Sequence, residues 1–276
     1  MRIALFQSRT GIDTAANAAA LVSAIDTAAD GGAAMLFTPE MSGLLDRDRE
    51  RARPNLHDEA GDGVLAAVRE AAARRGLWVH LGSLALAGER ADDRLVNRGI
   101  LIDDQGTVRA RYNKIHLFDV DLPTGESWRE SAAYAPGTQA VVAATPAGQL
   151  GLSVCYDLRF PDLYRALTDA GATILAIPAA FTVPTGHAHW HVLLRARAIE
   201  AGVFVVAAAQ VGHHDDGRDT FGHSLVVDPW GKVLLDMGSE TGVAFVDIDP
   251  GQVDEVRSRL PAIRHRRPIG APEIAP

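Results

Sequence analysis

The stretch Gly151-Leu-Ser-Val-Cys155-Tyr-Asp-Leu-Arg-Phe-Pro161 decides how the rest of the chain is interpreted. Leu150–Cys155 is a short apolar run after the turn residues Pro146-Ala-Gly148, a pattern typical of a buried strand. Pro161 suits the first position of a helix, where a backbone N–H would have no helical partner. The sequence therefore predicts Cys155 at the end of a core strand, the edge at which open α/β sheets bind ligands. Because free cysteine is also a common small buried hydrophobe, this stretch alone does not separate a nucleophile from core filler.

The composition of the 276-residue chain is that of an ordinary globular protein, with 47% hydrophobic and 22% charged residues. A single cysteine excludes an internal disulfide and suits a reducing compartment, so we expect a cytoplasmic protein. No signal peptide is expected before the strand-like opening, and no apolar run approaches the roughly 18 residues of a membrane span. The net charge of −8 argues against nucleic acid as a partner, although Arg264-His-Arg-Arg267 is locally basic.

Outward from the central stretch, strand and helix patterns alternate, and hairpin signals such as Asp103-Asp-Gln-Gly106 interrupt them. This favours a layered α/β fold with a mixed sheet, in a single domain over residues 1–276 with a C-terminal helix and tail from about residue 250. The predicted strands are Ile3–Gln7, Ala34–Thr38, Leu77–Leu86, Arg98–Ile102, Thr107–Tyr112, Val141–Ala144, Leu150–Cys155, Thr173–Ile177, Val203–Ala209, His223–Val227, Lys232–Asp236 and Val243–Ile248. The predicted helices are 14–30, 62–75, Pro161–Ala170, Trp190–Ala201 and Gly251–Leu260.

Two long segments lack clear periodicity, Asn113–Gln139 and Pro178–His189. A structureless segment of such length inside a compact domain is usually functional. Both are therefore candidates for the walls of a site.

Three polar residues follow predicted strands at comparable positions: Glu40, Lys114 and Cys155. If those strands point the same way, the three side chains can converge. A carboxylate can take the thiol proton and return it to a leaving amine, and an ammonium can lower the thiol pKa and stabilise an oxyanion. A solvated lysine, a capping glutamate and an inert cysteine are the alternatives that these residues leave open.

Three segments resemble, in order and spacing, the signature segments of the nitrilase superfamily, the carbon–nitrogen hydrolases. They are Thr38-Pro-Glu40, Tyr112-Asn-Lys114-Ile-His-Leu-Phe and the stretch around Cys155. The resemblance extends from Ile3 to about Ile248. Within the superfamily the chain resembles the Nit branch most, whose members hydrolyse deaminated glutathione. The segments that carry this closer resemblance are His116-Leu-Phe-Asp-Val-Asp-Leu-Pro123, Ala188-His-Trp190, Leu194-Arg-Ala-Arg-Ala-Ile-Glu200, Ala207–Gln210 with His213-His214, and Gly222-His-Ser-Leu-Val-Val-Asp-Pro-Trp-Gly231.

The resemblance implies roles for the converging residues. Glu40 becomes the general base, Lys114 the oxyanion stabiliser and Cys155 the nucleophile, with the backbone N–H of Tyr156 as a second oxyanion donor. The superfamily has a further glutamate before a Ser and a later Pro-Gly, which Glu130-Ser131 with Pro136-Gly137 matches, and Glu126-Ser127 is a nearby competitor for that role. The resemblance also implies a four-layer α-β-β-α sandwich that forms a homodimer or higher oligomer.

The expected reaction is hydrolysis of a small carboxylate-bearing amide of the deaminated glutathione type through a thioester, with no metal or organic cofactor and no nucleic-acid or membrane partner. Phe181, Thr182 and Thr185 are the predicted pocket-wall residues, while Asp157 and Arg159 are expected to pair structurally. Amidase action on α-ketoglutaramate, hydrolysis of nitriles or N-carbamoyl compounds, and a binding protein on the same fold are the alternatives.

Two histidine clusters invite comparison with metal sites, His187-Ala-His189-Trp-His191 and His213-His214-Asp215-Asp216. The first departs from the superfamily pattern at two of its histidines and lacks an evident fourth ligand. The second occupies a glycine-flanked loop, where such residues are usually solvated, although the Nit-branch resemblance implies a position near the substrate pocket. We expect no metal at either cluster.

Overall fold

The computed structural model describes residues 1–88, 94–121, 125 and 127–275. The strands in these residues are β1 (Arg2–Gln7), β2 (Met35–Phe37), β3 (Trp78–Ala87), β4 (Leu95–Ile102), β5 (Val108–Asn113), β6 (Asp119–Asp121), β7 (Ser127–Arg129), β8 (Val141–Thr145), β9 (Gly148–Leu152), β10 (Ile174–Ala176), β11 (Phe204–Ala207), β12 (Val211–His213), β13 (Asp219–Phe221), β14 (Leu225–Val227), β15 (Val233–Asp236) and β16 (Gly242–Asp247). The helices are α1 (Thr14–Asp30), α2 (Arg49–Ala52), α3 (Gly63–Arg75), α4 (Pro161–Asp169), α5 (Val183–Ala201) and α6 (Gly251–Arg259). Short 3-10 turns occupy Arg53–Asn55, Glu130–Ala132 and Cys155–Arg159.

Two six-stranded sheets with the same strand pattern form the centre of the molecule. Their orders are β16-β1-β2-β3-β4-β5 and β15-β14-β11-β10-β9-β8. In each sheet three central strands run parallel, and antiparallel strands flank them on both sides. The mixed sheet that the hairpin signals predicted is therefore present twice.

The sheets pack face to face because alternate strand residues point to opposite sides. Ile3 and Met35 join the core shared with the second sheet, whereas Ala4 and Leu36 face the separate core under α1 and α3. Helices α4 and α5 contact each other and the second sheet. The chain is thus the expected four-layer α-β-β-α sandwich, and none of the helices in its described part is long and apolar enough to cross a membrane.

Capping residues set several element ends. The Asp13 side chain accepts from the first turn of α1, the Asp62 side chain does so for α3, and Gly76 ends α3 in the left-handed conformation. Pro161 opens α4, as expected.

The prediction that Pro178–His189 is irregular is wrong over most of its length, because α5 begins at Val183. Pro184 and Gly186 look like helix breakers, yet a proline is tolerated in a first turn. Thr185 therefore stands on a helix rather than in a loop. The Asn113–Gln139 segment also contains structure, the β6–β7 hairpin and a 3-10 turn.

Candidate active site

Glu40, Lys114 and Cys155 line one cavity of about 760 Å³. Glu40 follows β2, Lys114 follows β5, and these two strands point the same way because two antiparallel steps separate β5 from β3. Cys155 comes from the second sheet. Its predicted place at a strand end is wrong by three residues, since β9 stops at Leu152 and Cys155 opens a 3-10 turn. The sheet-to-sheet packing brings the three side chains together.

Cys155 has a strained backbone, with a φ of +50°. Residues other than glycine adopt this region at an energetic cost and cluster at functional sites when they do. Its own N–H donates to Pro178 O at 2.9 Å, which fixes the turn. Among the described residues no carbonyl accepts from the next N–H, that of Tyr156. One backbone donor beside the buried thiol is therefore free for an oxyanion.

Lys114 is only 2% exposed and lies between two carboxylates. Its Nζ donates to Glu40 Oε1 at 2.9 Å and to Glu130 Oε2 at 2.9 Å. Glu130 Oε2 also accepts the Phe118 N–H at 2.7 Å, and Glu40 Oε2 accepts the Ala180 N–H at 3.0 Å. Glu130 is thus the glutamate that meets Lys114, while its competitor Glu126 lies outside the described residues.

Asn97, a residue of β4 that the sequence did not single out, joins this cluster. Its Nδ2 donates to Glu40 Oε1 at 2.9 Å and to Glu130 Oε1 at 3.1 Å, so one amide bridges both carboxylates. Its Oδ1 is buried and has no hydrogen-bond partner among the described residues. A buried oxygen without a hydrogen-bond donor is unfavourable. The two hydrogen bonds from Nδ2 to the carboxylates therefore determine which way the Asn97 amide points.

Burial and charge set the protonation of Glu40 and Lys114. Burial alone would raise the pKa of Glu40, but the Lys114 charge and hydrogen bonds from Cys155, Lys114 and Asn97 bring its pKa below the ordinary 4.5. Burial would likewise lower the pKa of Lys114, and the charges of Glu130 and Glu40 outweigh it and raise the pKa well above 10.5. The resting site therefore holds an ionised Glu40 and an ammonium.

The thiol is protonated in this resting state. Burial raises the pKa of Cys155 well above its ordinary 9.0, and the Glu40 charge adds to the rise. Lys114 acts in the expected direction, lowering the thiol pKa, but does not outweigh the other two effects. The Glu40 carboxylate, which is hydrogen-bonded to this thiol, is the adjacent group that can accept its proton.

Asp157 connects the turn of Cys155 to the segment that carries Lys114. Its fully buried carboxylate accepts from Tyr112 Oη at 2.7 Å, from the His116 N–H at 3.0 Å and from the Val154 N–H at 2.9 Å. Tyr112 and His116 flank Lys114 two residues away on either side. The predicted pairing of Asp157 with Arg159 is wrong, because Asp157 instead ties the turn of Cys155 to the segment that carries Lys114.

Arg159 lines the cavity and has no carboxylate partner among the described residues. Its guanidinium carbon lies 5.8 Å from the Tyr156 ring centroid and 5.4 Å from that of Phe181, and one nitrogen is 3.2 Å from His189 Nδ1. Phe181, Thr182 and Thr185 line the same cavity. A cation therefore stands four residues after Cys155, on the wall of the same cavity.

The backbone turn at Glu40 depends on a close approach of β3. A Cβ on Gly82 would lie 2.1 Å from Thr38 O, so only glycine fits there. The Gly82 N–H donates to Thr38 Oγ1 at 3.0 Å, and Gln210 Nε2 donates to Glu40 O at 2.9 Å. These bonds hold the general-base candidate from both sheets.

The first histidine cluster does not converge on one point. His191 instead meets His223 and Asp236, with candidate ligand atoms within 4.8 Å of one another. Each of these two imidazoles hydrogen-bonds a different oxygen of Asp236 at 2.9 Å, a network that satisfies the carboxylate. His187 packs edge-on against Phe221, with ring centroids 4.8 Å apart.

The second histidine cluster divides by burial. His213 is exposed and pairs with Asp219, whereas His214 is buried and lies 2.9 Å from Thr10 O and 2.7 Å from Thr220 Oγ1. Thr220 lines the cavity, so His214 supports its wall from behind.

The fold and this site define a class: the chain belongs to the carbon–nitrogen hydrolase family, whose model matches residues 2–258, and it is an enzyme of that class. It is similar to the deaminated glutathione amidase of Yersinia enterocolitica, with 40% identity over 266 residues that cover 96% of this chain and 92% of the relative. The crystal structure of the C. elegans NitFhit protein matches with a TM-score of 0.87 at 37% identity, covering 96% of this chain and 65% of that one. A mutant of the amidase from Nesterenkonia sp. AN1, solved with the result of Michael addition of acrylamide at its active-site cysteine, matches with a TM-score of 0.77 at 30% identity, covering 94% and 98% of the two chains.

Proposed function

We propose that the protein is an amidase that hydrolyses a small carboxylate-bearing amide of the deaminated glutathione type through a Cys155 thioester. The observation that carries the proposal is the buried Lys114 ammonium between two carboxylates beside a buried thiol. The names of the similar amidases point to the same substrate class.

In the acylation half-reaction, Glu40 takes the Sγ proton as Sγ attacks the amide carbonyl carbon. The carbonyl oxygen becomes an oxyanion, which the Lys114 ammonium and the Tyr156 N–H stabilise, typically by roughly 3–4 kcal/mol for each donor. Glu40 then gives its proton to the amide nitrogen. The C–N bond breaks, the amine leaves, and the acyl group remains on Sγ as a thioester.

Deacylation repeats these steps with water as the nucleophile. Ionised Glu40 takes a proton from water while the water oxygen attacks the thioester carbon. Collapse of the second oxyanion breaks the C–S bond, the thiolate recovers the proton from Glu40, and the acid product leaves. Both half-reactions need only a base that is ionised at rest and a permanently charged lysine.

Glu130 holds the Lys114 ammonium from the side opposite Glu40 and orients the amide nitrogen or the attacking water. Arg159 binds the carboxylate of the acyl portion, because its guanidinium is flanked by the rings of Tyr156 and Phe181 and lacks an acidic partner among the described residues. Thr182 and Thr185 supply hydroxyls to the same wall.

The test is release of amine or ammonia over a panel of deaminated glutathione, α-ketoglutaramate, a simple nitrile and an N-carbamoyl amino acid. We expect hydrolysis of deaminated glutathione by the wild-type protein and none by Cys155→Ala, with an unchanged circular dichroism spectrum. Ser153→Ala, a substitution two residues earlier and outside the cavity lining, is the matched control and keeps its activity. Activity retained in Cys155→Ala would refute the thioester mechanism, and preference for the nitrile or the carbamoyl compound would refute the substrate class.

The proposal extends to assembly and compartment. The protein self-associates through exposed apolar side chains of α5 and its neighbours, which include Val192, Ile199 and Trp230. It acts in the cytoplasm, since its single cysteine has to remain a reduced thiol to attack.

A further inference from the structure

We propose that Arg47, Arg49 and Arg53, hereafter the rim arginines, form a second anion subsite at the cavity mouth. This subsite takes a carboxylate on the amine portion of the substrate, the part that leaves. The inference rests on the proposed amidase function. It adds an assignment of each cationic group to one end of the substrate.

The cavity concentrates positive charge in a protein whose net charge is −8. Seven arginines and Lys114 are among its described lining residues, against four carboxylates. Two of those carboxylates, Glu40 and Glu130, are already engaged by Lys114. A cleft in which one sign of charge predominates raises the local concentration of ligands of the opposite sign.

Apart from Arg159, which the proposed function assigns to the acyl end, the rim arginines are the described part of this charge that has no carboxylate partner. Arg129 pairs with Asp121 and Arg218 with Asp216. Within the described residues, by contrast, no carboxylate pairs with a rim arginine; Arg49 donates only to the carbonyl of Ala132, at 3.2 Å. Their guanidinium groups therefore have donors left for a ligand carboxylate.

Their position in the fold separates them from the reacting atoms. Arg49 and Arg53 are four residues apart, across α2 and the 3-10 turn that follows, so they share one face. Both are exposed, whereas Cys155 at the reacting end is 8% exposed. Leu44, Leu45 and Ala52 are buried side chains of the same wall. The cavity thus offers a charged mouth beside an apolar wall.

The order of product release assigns the amine portion to this mouth. The acyl group stays on Cys155 after the C–N bond breaks, so the amine has to leave first. An amine that lies between the nucleophile and solvent can depart without passing the acyl group. Trp128 is another lining residue, and its buried indole N–H has no acceptor among the described residues.

The experiment compares two amides that share an acyl portion. Deaminated glutathione releases a dipeptide that ends in a carboxylate, whereas α-ketoglutaramate releases ammonia. We expect Arg49→Gln/Arg53→Gln to lower kcat/KM for deaminated glutathione about tenfold and to leave that for α-ketoglutaramate within twofold. Amidation of the dipeptide carboxylate should remove the difference between variant and wild type.

Arg74→Gln/Arg75→Gln is the matched control, because it removes two positive charges from α3, outside the cavity. It should leave both substrates unaffected. Equal losses on the two amides, or no loss on either, would overturn the subsite while the amidase function stands. A wild-type protein that hydrolyses neither amide would overturn the proposed function and the subsite with it.

Discussion

Asn97 bridges the two carboxylates that flank Lys114, and its bond to Glu40 favours the ionised form of that group. We expect kcat/KM of the wild-type protein to fall only below pH 4.5, because the pKa of Glu40 is lowered and its ionised form is the active base. Asn97→Ala removes one hydrogen bond to the ionised carboxylate, which raises the pKa of Glu40. The acid limb of the profile therefore moves to higher pH.

The measurement is kcat/KM against pH from about 3 to 8, with circular dichroism at each pH to confirm folding. Asn17→Ala is the control, since Asn17 is a buried asparagine that bonds the backbone of Gly11 and Gly43 instead of a carboxylate. Its acid limb should match the wild type. A uniform loss of kcat/KM in Asn97→Ala without a shift of the limb would mean that Asn97 has only a packing role.

At the residue scale, the sequence predicted the site residues that follow strands and missed the site residue that lies inside a strand. Glu40, Lys114 and Cys155 could be found because each follows a predicted strand. Asn97 lies inside β4, where a single polar residue in a buried strand carries no sign of its distant partners. The expected pair of Asp157 and Arg159 does not form, because Asp157 is taken by Tyr112 and His116 from another segment.

At the element scale, the missed first turns of α5 have a packing explanation. Gly186 is a poor helix former, yet a Cβ there would lie 2.1 Å from the Phe221 ring. The glycine is present because β13 packs against the helix at that point, a contact between residues 35 positions apart in sequence. Local propensity could not predict it.

This contact makes Gly186→Ala destabilising although alanine is the better helix former. We expect the free energy of unfolding to fall by about 1–3 kcal/mol, since Phe221 has to move to admit the methyl group. Gly63→Ala in α3 is the matched control, because a Cβ there meets no atom within 4 Å. That variant should be as stable as the wild type or more stable by up to about 1 kcal/mol. Urea denaturation of the three proteins measures their free energies of unfolding. A Gly186→Ala variant as stable as the wild type would contradict the packing explanation.

At the scale of the whole molecule, the site is a product of sheet-on-sheet packing. Glu40 and Lys114 follow strands of one sheet, and Cys155 follows a strand of the other. The core that the two sheets share holds the sheets at a fixed distance. Alternating patterns in the sequence predicted strands, helices and a mixed sheet. They do not state which strands share a sheet, because pairing is settled by contacts far apart in the chain. The four-layer order came instead from resemblance to a known family.

The outer layer of this sandwich leaves apolar side chains in solvent. Val192 and Ile199 lie two turns apart on α5 and are 68% and 47% exposed, and Trp230, in the turn beside Ile199, is 65% exposed. Isolated exposed apolar residues are ordinary, but an exposed tryptophan beside an exposed isoleucine is typical of an interface.

We therefore expect the wild-type protein to sediment as a dimer at micromolar concentration and Trp230→Asp to raise the dissociation constant by roughly 30-fold or more. Ile269→Asp is the control, since Ile269 is exposed in the C-terminal tail and belongs to no such group. Sedimentation velocity over a concentration series separates the three proteins. A wild-type protein that stays monomeric across the series would contradict the assembly proposed for this face, and a Trp230→Asp variant that dimerises as tightly as the wild type would place the interface elsewhere.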